Sequence, residues 1–338
     1  MIEVKNLTKN FGEKRAVDNL SFTVREGVAY GFLGRNGAGK TTTIRILMNV
    51  FREDSGEALF NGVPAYKESV RIGYLPEERG LYAKRGVLEQ LTYFGVLKGL
   101  DSRRAESEGK AKLEEMEATE YTYKKLETLS KGNQQKIQLA CAMLGDPEVI
   151  ILDEPFSGLD PINAQVLKNA VRRQVDEGRT VIFSSHQMAQ VEEFCDDICI
   201  IDNGRSVLEG NLSAIKRTYP RDRIYIETEQ GRDGLSTSRL DALLREQPYV
   251  TEFGPKGIGC EVKLGDPSKR SMLLRALEEA DARVDSFYVI EPSLEQIFVE
   301  KCGTAELQET EKETGTEPEK KRGWRRQMFD KIGGRTKK

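Results

Sequence analysis

The stretch GRNGAGKT, residues 34–41, fits the pattern G-x-x-x-x-G-K-[ST] and lies between a strand-like run, AYGFL, and a helix-like run, TTTIRILMNV. In that setting the glycines let successive backbone N–H groups point at phosphate oxygens near the positive end of the helix dipole. Lys40 would bridge the β and γ phosphates, and the Thr41 hydroxyl would ligate magnesium. A simple glycine-rich turn is the alternative, but the flanking strand and helix favour a nucleotide-binding α/β fold.

A second run, VIILDEP at residues 149–155, has four apolar residues followed by two acids. A buried parallel strand that ends in carboxylates presents them at the crevice where open α/β sheets bind ligands. We expect Asp153 to hold magnesium, usually through water, and Glu154 to orient or deprotonate the attacking water. Solvated acids at a strand end would explain this run if it stood alone. Together with a phosphate-binding loop, the acids favour phosphoryl transfer.

A third segment, LSKGNQQK at residues 129–136, directly precedes the helix-like run IQLACAML. Ser130 is suited to cap that helix, which would be a sufficient structural explanation in most proteins. The segment lies about twenty residues before ILDEP, SGLD follows at residues 157–160, and the single histidine, His186, follows the strand-like TVIFSS. Over about residues 1–215, this order of motifs resembles that of the ATP-binding subunits of ABC transporters.

The resemblance implies an α/β P-loop NTPase of the ABC type, with a helical subdomain, that binds ATP and Mg²⁺ and hydrolyses ATP. It implies catalytic roles for Glu154, for Lys40, and for His186 as the switch histidine that contacts the γ phosphate. Magnesium would be held by Thr41 and Asp153.

Phe11 lies 29 residues before Lys40, where the family has an aromatic residue that stacks on adenine. An ordinary core aromatic is the alternative, since Phe is commonly buried. The ATP-binding residues that the resemblance implies are Phe11, Gly34, Arg35, Asn36, Gly37, Ala38, Gly39, Lys40, Thr41 and Thr42.

In this family two subunits pack head to tail, so that residues 130–134 of one copy, the signature segment, close over the ATP of the other copy. A helix N-terminus and its backbone donors would then face the γ phosphate. The resemblance implies a homodimer or a heterodimer. Its implied residues are Ser130, Lys131, Gly132, Asn133 and Gln134 in the signature segment, and Ser157, Gly158, Leu159 and Asp160 in the dimer-interface loop, called the Asp loop.

Two positions depart from the common family pattern. After GYLP (residues 73–76), where most members have a glutamine that contacts magnesium and senses the membrane partner, this chain has Glu77. A carboxylate can still ligate magnesium, which makes Glu77 a further metal candidate. The signature segment reads SKGNQ where SGGQ is commoner. Such variants resemble the bacterial drug-export and sodium-export branch, whose small C-terminal domain ends much like PSLEQIF at residues 292–298.

Composition and element pattern divide the chain into an α/β region (1–215), where the resemblance implies an ABC-type ATP-binding domain, a small α+β accessory or regulatory domain (216–302), an acidic linker (303–320) and a basic tail (321–338). The linker has too few large apolar side chains to order itself. In the tail, Trp324, Met328 and Ile332 recur every four residues beside basic residues. This pattern is typical of an amphipathic helix on an anionic membrane surface. A solvated, disordered extension is the alternative.

Charge and hydropathy limit the partners. Lys and Arg total 52 against 55 Asp and Glu, for a formal net charge of −3, so no overall field recruits nucleic acid.

No apolar run approaches the 18 or so residues of a bilayer span, and the first residues lack a signal-peptide pattern. The resemblance therefore implies a cytoplasmic subunit, peripheral on the inner face of the cell membrane, that powers a separate transmembrane permease, most simply an exporter.

Two other functions remain open at this point. A non-transport ABC ATPase that acts on the ribosome or on nucleic acid usually has two cassettes or a long coiled coil, and this chain has one phosphate-binding loop and no sustained heptads. A small GTPase is a weaker alternative, because the sequence lacks the guanine-recognition motif NKxD.

Overall fold

Two sheets and a set of helices make up the first unit of the chain. The computed structural model describes residues 1–67, 70–78, 80–228 and 237–303. Short 3-10 helices cover Thr119–Tyr121 and Leu126–Thr128. In chain order the elements of this unit are β1 Ile2–Phe11, β2 Lys14–Val24, β3 Ala29–Gly34, α1 Lys40–Leu47, β4 Ser55–Phe60, β5 Val63–Pro64, β6 Ile72–Leu75, α2 Val87–Leu97, α3 Ser102–Glu115, α4 Lys131–Ala142, β7 Val149–Asp153, α5 Pro161–Asp176, β8 Thr180–Ser185, α6 Met188–Phe194, β9 Asp197–Asp202, β10 Arg205–Asn211 and α7 Leu212–Arg217.

The central sheet has the strand order β10-β9-β3-β8-β7-β6. Its strands are parallel, except that β10 pairs with β9 in antiparallel fashion at one edge. Every residue of β3, β7 and β8 is buried, which explains why these strands are continuous apolar runs in the sequence. Because β8 lies between β3 and β7, the segments after these three strands meet at one edge of the sheet.

An antiparallel sheet of order β2-β1-β4-β5 covers α1 and one face of the central sheet. The core between the layers includes Phe22, which stacks against Tyr30 and lies 5.1 Å from Phe32, measured between ring centroids. Ile44 of α1 is buried in the same core. Residues of β3 and α1, which flank residues 34–41, are thus buried in the same core.

The helices α2, α3 and α4 form a helical part beside the sheet. Helix α3 begins at a side-chain cap, since Asp101 accepts hydrogen bonds from the N–H groups of Arg103 and Arg104. Its contact with α2 is close enough that a Cβ at Gly95 would lie 2.8 Å from the Cβ of Ala105. At the C-terminal end of α2, Lys98 Nζ donates to the carbonyls of Cys141, Ala142 and Leu144 at 3.0, 2.8 and 3.0 Å. These bonds cap the C-terminus of α4.

A smaller α+β unit follows. Its sheet has the order β12-β13-β11-β14 and is antiparallel throughout. Its elements are β11 Arg223–Thr228, α8 Thr237–Glu246, β12 Val250–Lys256, β13 Gly259–Leu264, a 3-10 helix at Pro267–Lys269, α9 Arg270–Glu279, β14 Val284–Val289 and α10 Leu294–Cys302. Ile226, Val262 and Leu273 share its separate core. Helix α10 instead buries Leu294 and Phe298 in the core of the first unit.

The predicted α/β architecture, with a parallel sheet, a helical part and a small α+β unit, is confirmed. The strand-like runs AYGFL, VIILDEP and TVIFSS lie on β3, β7 and β8, and the helix-like runs TTTIRILMNV and IQLACAML fall mostly within α1 and α4. The predicted boundaries at residues 215 and 302 stay predictions. Beyond Gly303, the acidic linker and the basic tail lie outside the described residues. Within the described part of the chain, no helix is both long enough and apolar enough to cross a membrane.

Candidate nucleotide site

The loop of residues 34–41 connects β3 to α1 and borders a cavity of about 460 Å³. Gly37 and Gly39 have φ values of 81° and 107°, a region that residues with a Cβ rarely adopt. A Cβ on Gly39 would also lie 2.5 Å from the carbonyl oxygen of Ala16. The glycines therefore fit the backbone turn that the sequence pattern predicted. The cavity is lined by Phe11, Lys14, Ala16, Arg35, Asn36, Gly37, Gly39, Lys40, Thr41, Thr42, Glu77, Asp153 and Glu154.

Lys40 is the buried cation of this cavity and is only 7 % exposed. Its Nζ donates to the carbonyl oxygens of Gly34 and Arg35 at 2.6 and 3.2 Å. Burial lowers the pKa of the ammonium, while the carboxylates of Glu154, Asp153 and Glu77 act in the opposite direction. The side chain is thus held among neutral carbonyl acceptors, where an anionic phosphate would be a stronger partner.

Asp153 and Thr41 form an oxygen cluster at the end of β7. Thr41 Oγ1 donates to Asp153 Oδ2 at 3.4 Å, and Ser184 Oγ donates to the other carboxylate oxygen. Hydroxyl and carboxylate oxygens are ligands that Mg²⁺ accepts, and it usually completes its shell with water and phosphate oxygens. Among the described residues, no group of three or more His, Cys, Asp and Glu side chains could hold a metal. The adjacent Thr41 and Asp153 oxygens fit a magnesium ion whose remaining ligands are phosphate and water oxygens.

Glu154 is held from several sides by the end of β8. Its Oε1 accepts hydrogen bonds from His186 N at 2.8 Å and from His186 Nδ1 at 2.6 Å, and its Oε2 accepts one from Ser185 Oγ at 3.0 Å. Glu154 has a φ of 50°, which is uncommon for a residue with a side chain. This backbone turn and these bonds fix the carboxylate beside the cavity, where it could orient a water molecule.

Phe11 lies at the end of β1 on the rim of the cavity. Its side chain is 45 % exposed, and its ring meets Phe51 edge-on with the centroids 5.4 Å apart. An aromatic ring that is exposed on the cavity rim can stack on a planar base. The exposure does not fit the alternative of an ordinary core aromatic.

The signature segment lies at the start of α4 and does not line this cavity. Ser130 accepts a hydrogen bond from Asn133 N at 3.3 Å, so its predicted role as N-cap is confirmed. Asn133 Nδ2 donates to the hydroxyl of Tyr121 at 2.8 Å, and Gln134 Nε2 donates to the carbonyl of Leu129 at 2.9 Å. The structure therefore does not bring the signature segment and Lys40 together within one chain.

The Asp loop follows β7 and ends at α5. Asp160 caps α5 by accepting hydrogen bonds from Ile162 N and Asn163 N at 3.1 and 3.0 Å, and Asn163 Nδ2 donates to its other oxygen. The same amide nitrogen would lie 2.8 Å from a Cβ placed on Gly132. The Asp loop and the signature segment are therefore joined through Asn163.

Sequence reasoning missed several residues that position the site. Ser184 and Ser185 hold the two acids, Asn163 links the two outer segments, and Lys14 lines the cavity. The two serines could have been found from the sequence, because they end a buried strand directly before His186.

Arg35 was predicted to bind the nucleotide. Arg35 lines the cavity, and its guanidinium donates to the carbonyl of Gly303.

Comparison with known proteins extends these observations. A family model described as "ABC transporter" matches residues 17–157, and one described as "ATP-binding protein DrrA1-3-like, C-terminal domain" matches residues 210–302. An uncharacterized ABC transporter ATP-binding protein of Bacillus subtilis, YhaQ, is 40 % identical over 90 % of this chain and 99 % of its own length. A Nod factor export ATP-binding protein of Burkholderia lata is 33 % identical over 89 % of this chain and 97 % of its own.

Among solved structures, an ATP-binding subunit of an ABC transporter is 30 % identical and covers 64 % of this chain and 92 % of its own, with a TM-score of 0.60. The predicted family, and the predicted export branch with a small C-terminal domain, are confirmed by these matches. The phosphate-binding loop and the acid-bearing strand end lie within the matched region of the first family model. The chain therefore belongs to the ATP-binding proteins of ABC transporters, and it is an ATPase.

Proposed function

We propose that two ATPase subunits, either two copies of this chain or this chain with a related subunit, pack head to tail around two ATP molecules and Mg²⁺. The observation that carries this proposal is the position of the signature segment, which lies outside the cavity of its own chain. The first N–H groups of a helix have no partner within the helix and carry a partial positive charge. The start of α4 is thus suited to meet the γ phosphate of an ATP held by another copy.

Within each site, the loop residues and Lys40 bind the phosphates, and Phe11 stacks on the adenine. Thr41 and Asp153 hold Mg²⁺, with Glu77 as a further candidate on the cavity wall. A bound Mg²⁺ offsets the negative charge of the outer phosphates. Glu154 orients the attacking water and accepts its proton, and His186 keeps the Glu154 carboxylate in place while it contacts the γ phosphate.

We further propose that the ATPase drives a separate transmembrane permease and acts at the inner face of the cell membrane. A patch of exposed apolar side chains on and before α2, the α2 patch, is formed by Tyr82, Tyr93, Val96 and Leu97. Tyr82 follows Glu77 by five residues, so the segment that lines the cavity continues into the patch. Exposed apolar patches mark protein contacts. The similarity to a Nod factor export protein supports transport out of the cell.

Light scattering tests the proposed dimer. The Glu154→Gln chain should bind ATP and Mg²⁺ without consuming the ATP, and should change from monomer to dimer when both are added. The matched control is the double variant Lys40→Ala/Glu154→Gln, which should stay monomeric at ATP concentrations that saturate Glu154→Gln, because its affinity for ATP should be far lower. A Glu154→Gln chain that remains monomeric while titration shows bound ATP would contradict the head-to-tail proposal.

Co-expression tests the proposed permease contact. A suitable partner is the product of a neighbouring reading frame with about six apolar spans, each of about 20 residues. Tyr93→Ser and Leu97→Ser should lower the fraction of the ATPase recovered with membranes. Ile258→Ser is the matched control, since Ile258 is an exposed apolar residue of the second unit. Equal losses for all three variants would argue against the α2 patch.

A further inference from the structure

The nucleotide loop touches the last described helix. Arg35 Nη2 donates to the carbonyl oxygen of Gly303 at 2.9 Å, and the guanidinium carbon lies 5.9 Å from the centroid of the Phe298 ring. Gly303 is the C-cap of α10, and Phe298 lies within that helix. We call these two contacts the α10 clamp. They join the second residue of the phosphate-binding loop to the end of the DrrA1-3-like segment.

Helix α10 is firmly attached to the ATPase unit. Leu294 and Phe298 are 0 % and 5 % exposed, and both belong to the core cluster that contains residues of β3, β7 and β8. At the start of α10, Leu294 N donates to Glu192 Oε2 at 2.9 Å. Glu192 lies on α6, which begins two residues after His186. The helix thus bridges the two sides of the nucleotide site, from α6 to the phosphate-binding loop.

The backbone of Arg35 is itself part of the loop turn. Its carbonyl accepts a hydrogen bond from Ala38 N at 3.1 Å and a longer one from Lys40 Nζ at 3.2 Å. A loop whose N–H groups must converge on phosphate loses conformational freedom when the nucleotide binds. Fixing the Arg35 side chain in advance reduces that loss, and preorganisation of this kind raises affinity.

The charge of Arg35 suits the end of α10. The last carbonyls of a helix have no partner within the helix and carry a partial negative charge. A guanidinium both donates to such a carbonyl and packs its flat face near an aromatic ring. A lysine at this position could donate to the carbonyl but has no flat guanidinium to pack near the ring. It would therefore reproduce the contact only in part.

We propose that Arg35 is a positioning residue, and that α10 uses it to hold the phosphate-binding loop in the conformation that binds nucleotide. Through this clamp, the small C-terminal domain tunes the nucleotide affinity of the ATPase unit. The clamp lies within a single chain, so its test does not depend on the proposed dimer or the proposed permease.

Calorimetric titration of the full chain with ADP and Mg²⁺ tests the clamp without requiring a second copy at the γ phosphate. Arg35→Ala should weaken ADP binding about tenfold, the lower end of what one hydrogen bond from a charged donor contributes. Phe298→Leu, which keeps apolar volume but removes the ring, should weaken it about twofold to threefold. The double variant should bind no more weakly than Arg35→Ala alone, because both changes break the same clamp.

Ile297→Val provides the matched control. Ile297 is buried on the same helix and is not part of the two clamp contacts. This change should lower thermal stability and leave ADP affinity unchanged. Arg35→Lys should restore only part of the affinity. If Phe298→Leu binds ADP as the wild type does, or if the two substitutions add fully, Arg35 acts on the nucleotide directly and the clamp is wrong.

Hydrogen exchange gives a second measurement that does not depend on nucleotide. Without nucleotide, the amides of residues 34–40 should exchange faster in Arg35→Ala and in Phe298→Leu than in the wild type or Ile297→Val. Should Phe298→Leu fail to fold, Arg35→Ala and Arg35→Lys still report on the loop. Unchanged exchange in Arg35→Ala would overturn the proposal.

Discussion

The two halves of the proposed catalytic site are built in different ways. On the phosphate-binding side, Lys40, Asp153 and Glu154 are buried side chains that neighbouring strands hold in place. On the signature side, the side chains of Ser130 and Gln134 are occupied with capping and bracing their own helix. One half therefore offers charged side chains, and the other offers the backbone N–H groups at the start of α4.

This difference indicates how the halves should respond to substitution. Changes among the charged side chains should act on phosphate, metal or water directly and within one chain. Changes in the signature segment should alter the geometry at the start of α4. They should therefore impair hydrolysis of the ATP that is bound by the other copy. Substitutions on the two sides should therefore be distinguishable by whether they impair ATP binding, ATP hydrolysis or the pairing of copies.

The largest effect is expected for Glu154→Gln. Loss of a general base costs about 10²- to 10⁴-fold in rate. An amide can keep one oxygen acceptor for His186, so the fold and ATP binding should be retained. Steady-state phosphate release measures turnover, and titration measures binding. A variant that hydrolyses ATP at more than a tenth of the wild-type rate would remove Glu154 from the proposed role.

Lys40→Ala should lower ATP affinity about a hundredfold, because a buried ammonium that meets phosphate forms one of the stronger charge-assisted hydrogen bonds. Equilibrium titration with ATP measures this loss. Lys110→Ala is the matched control, since Lys110 is a surface lysine of α3 that pairs with Glu106. If Glu154→Gln and Lys40→Ala weakened ATP binding equally, the separate roles proposed for the two residues would be wrong.

Mixing two inactive variants tests whether the halves belong to different copies. Gly132→Asp should bind ATP and fail to hydrolyse it, since a side chain there meets Asn163 and adds negative charge at the helix start. In a mixed dimer with Lys40→Ala, one of the two sites is intact. An equal mixture should recover about a quarter of wild-type activity if copies pair at random. A mixture as inactive as its components would argue against composite sites.

The phosphate-binding side was readily predicted from sequence for a physical reason. Its strands are buried on both faces and its loop needs glycine, so β3, β7 and residues 34–41 follow clear local patterns. The cap of α4 at Ser130 was equally local. Strand β12, which contains a glycine and a proline, lacks such a pattern and was not predicted.

Contacts between residues that are far apart in the sequence could not be predicted, because they produce no local sequence pattern. Asn163 meets Gly132 across 31 positions, and Arg35 reaches Gly303 across 268. A single sequence contains no signal for such pairs, because no periodicity or local motif links positions that are so far apart. The side on which α10 packs was hidden for the same reason, since its buried residues Leu294 and Phe298 join a core formed by residues far earlier in the sequence.

Glu77→Gln tests whether a third side chain belongs to the proposed magnesium site. Glu77 lines the cavity and its charge acts on Lys40. If its carboxylate is a magnesium ligand, a neutral amide should bind the ion less well, and half-maximal hydrolysis should need about threefold more Mg²⁺. A titration of activity with Mg²⁺ at saturating ATP measures this. An unchanged requirement would place Glu77 outside the metal shell and leave it as a residue that senses the permease.

The smallest effect is expected for removal of residues 321–338, which lie outside the described residues. Each basic residue near an anionic surface contributes at most about 1 kcal/mol, and the apolar stripe is short, so membrane binding should be weak and sensitive to salt. Truncation after Lys320 should reduce sedimentation with anionic phospholipid vesicles at low salt, with neutral vesicles as the control. It should leave ATPase activity intact, because the proposed catalytic and ATP-binding residues lie before Gln187. Equal sedimentation of the two proteins would make the tail a solvated extension or a contact for the permease.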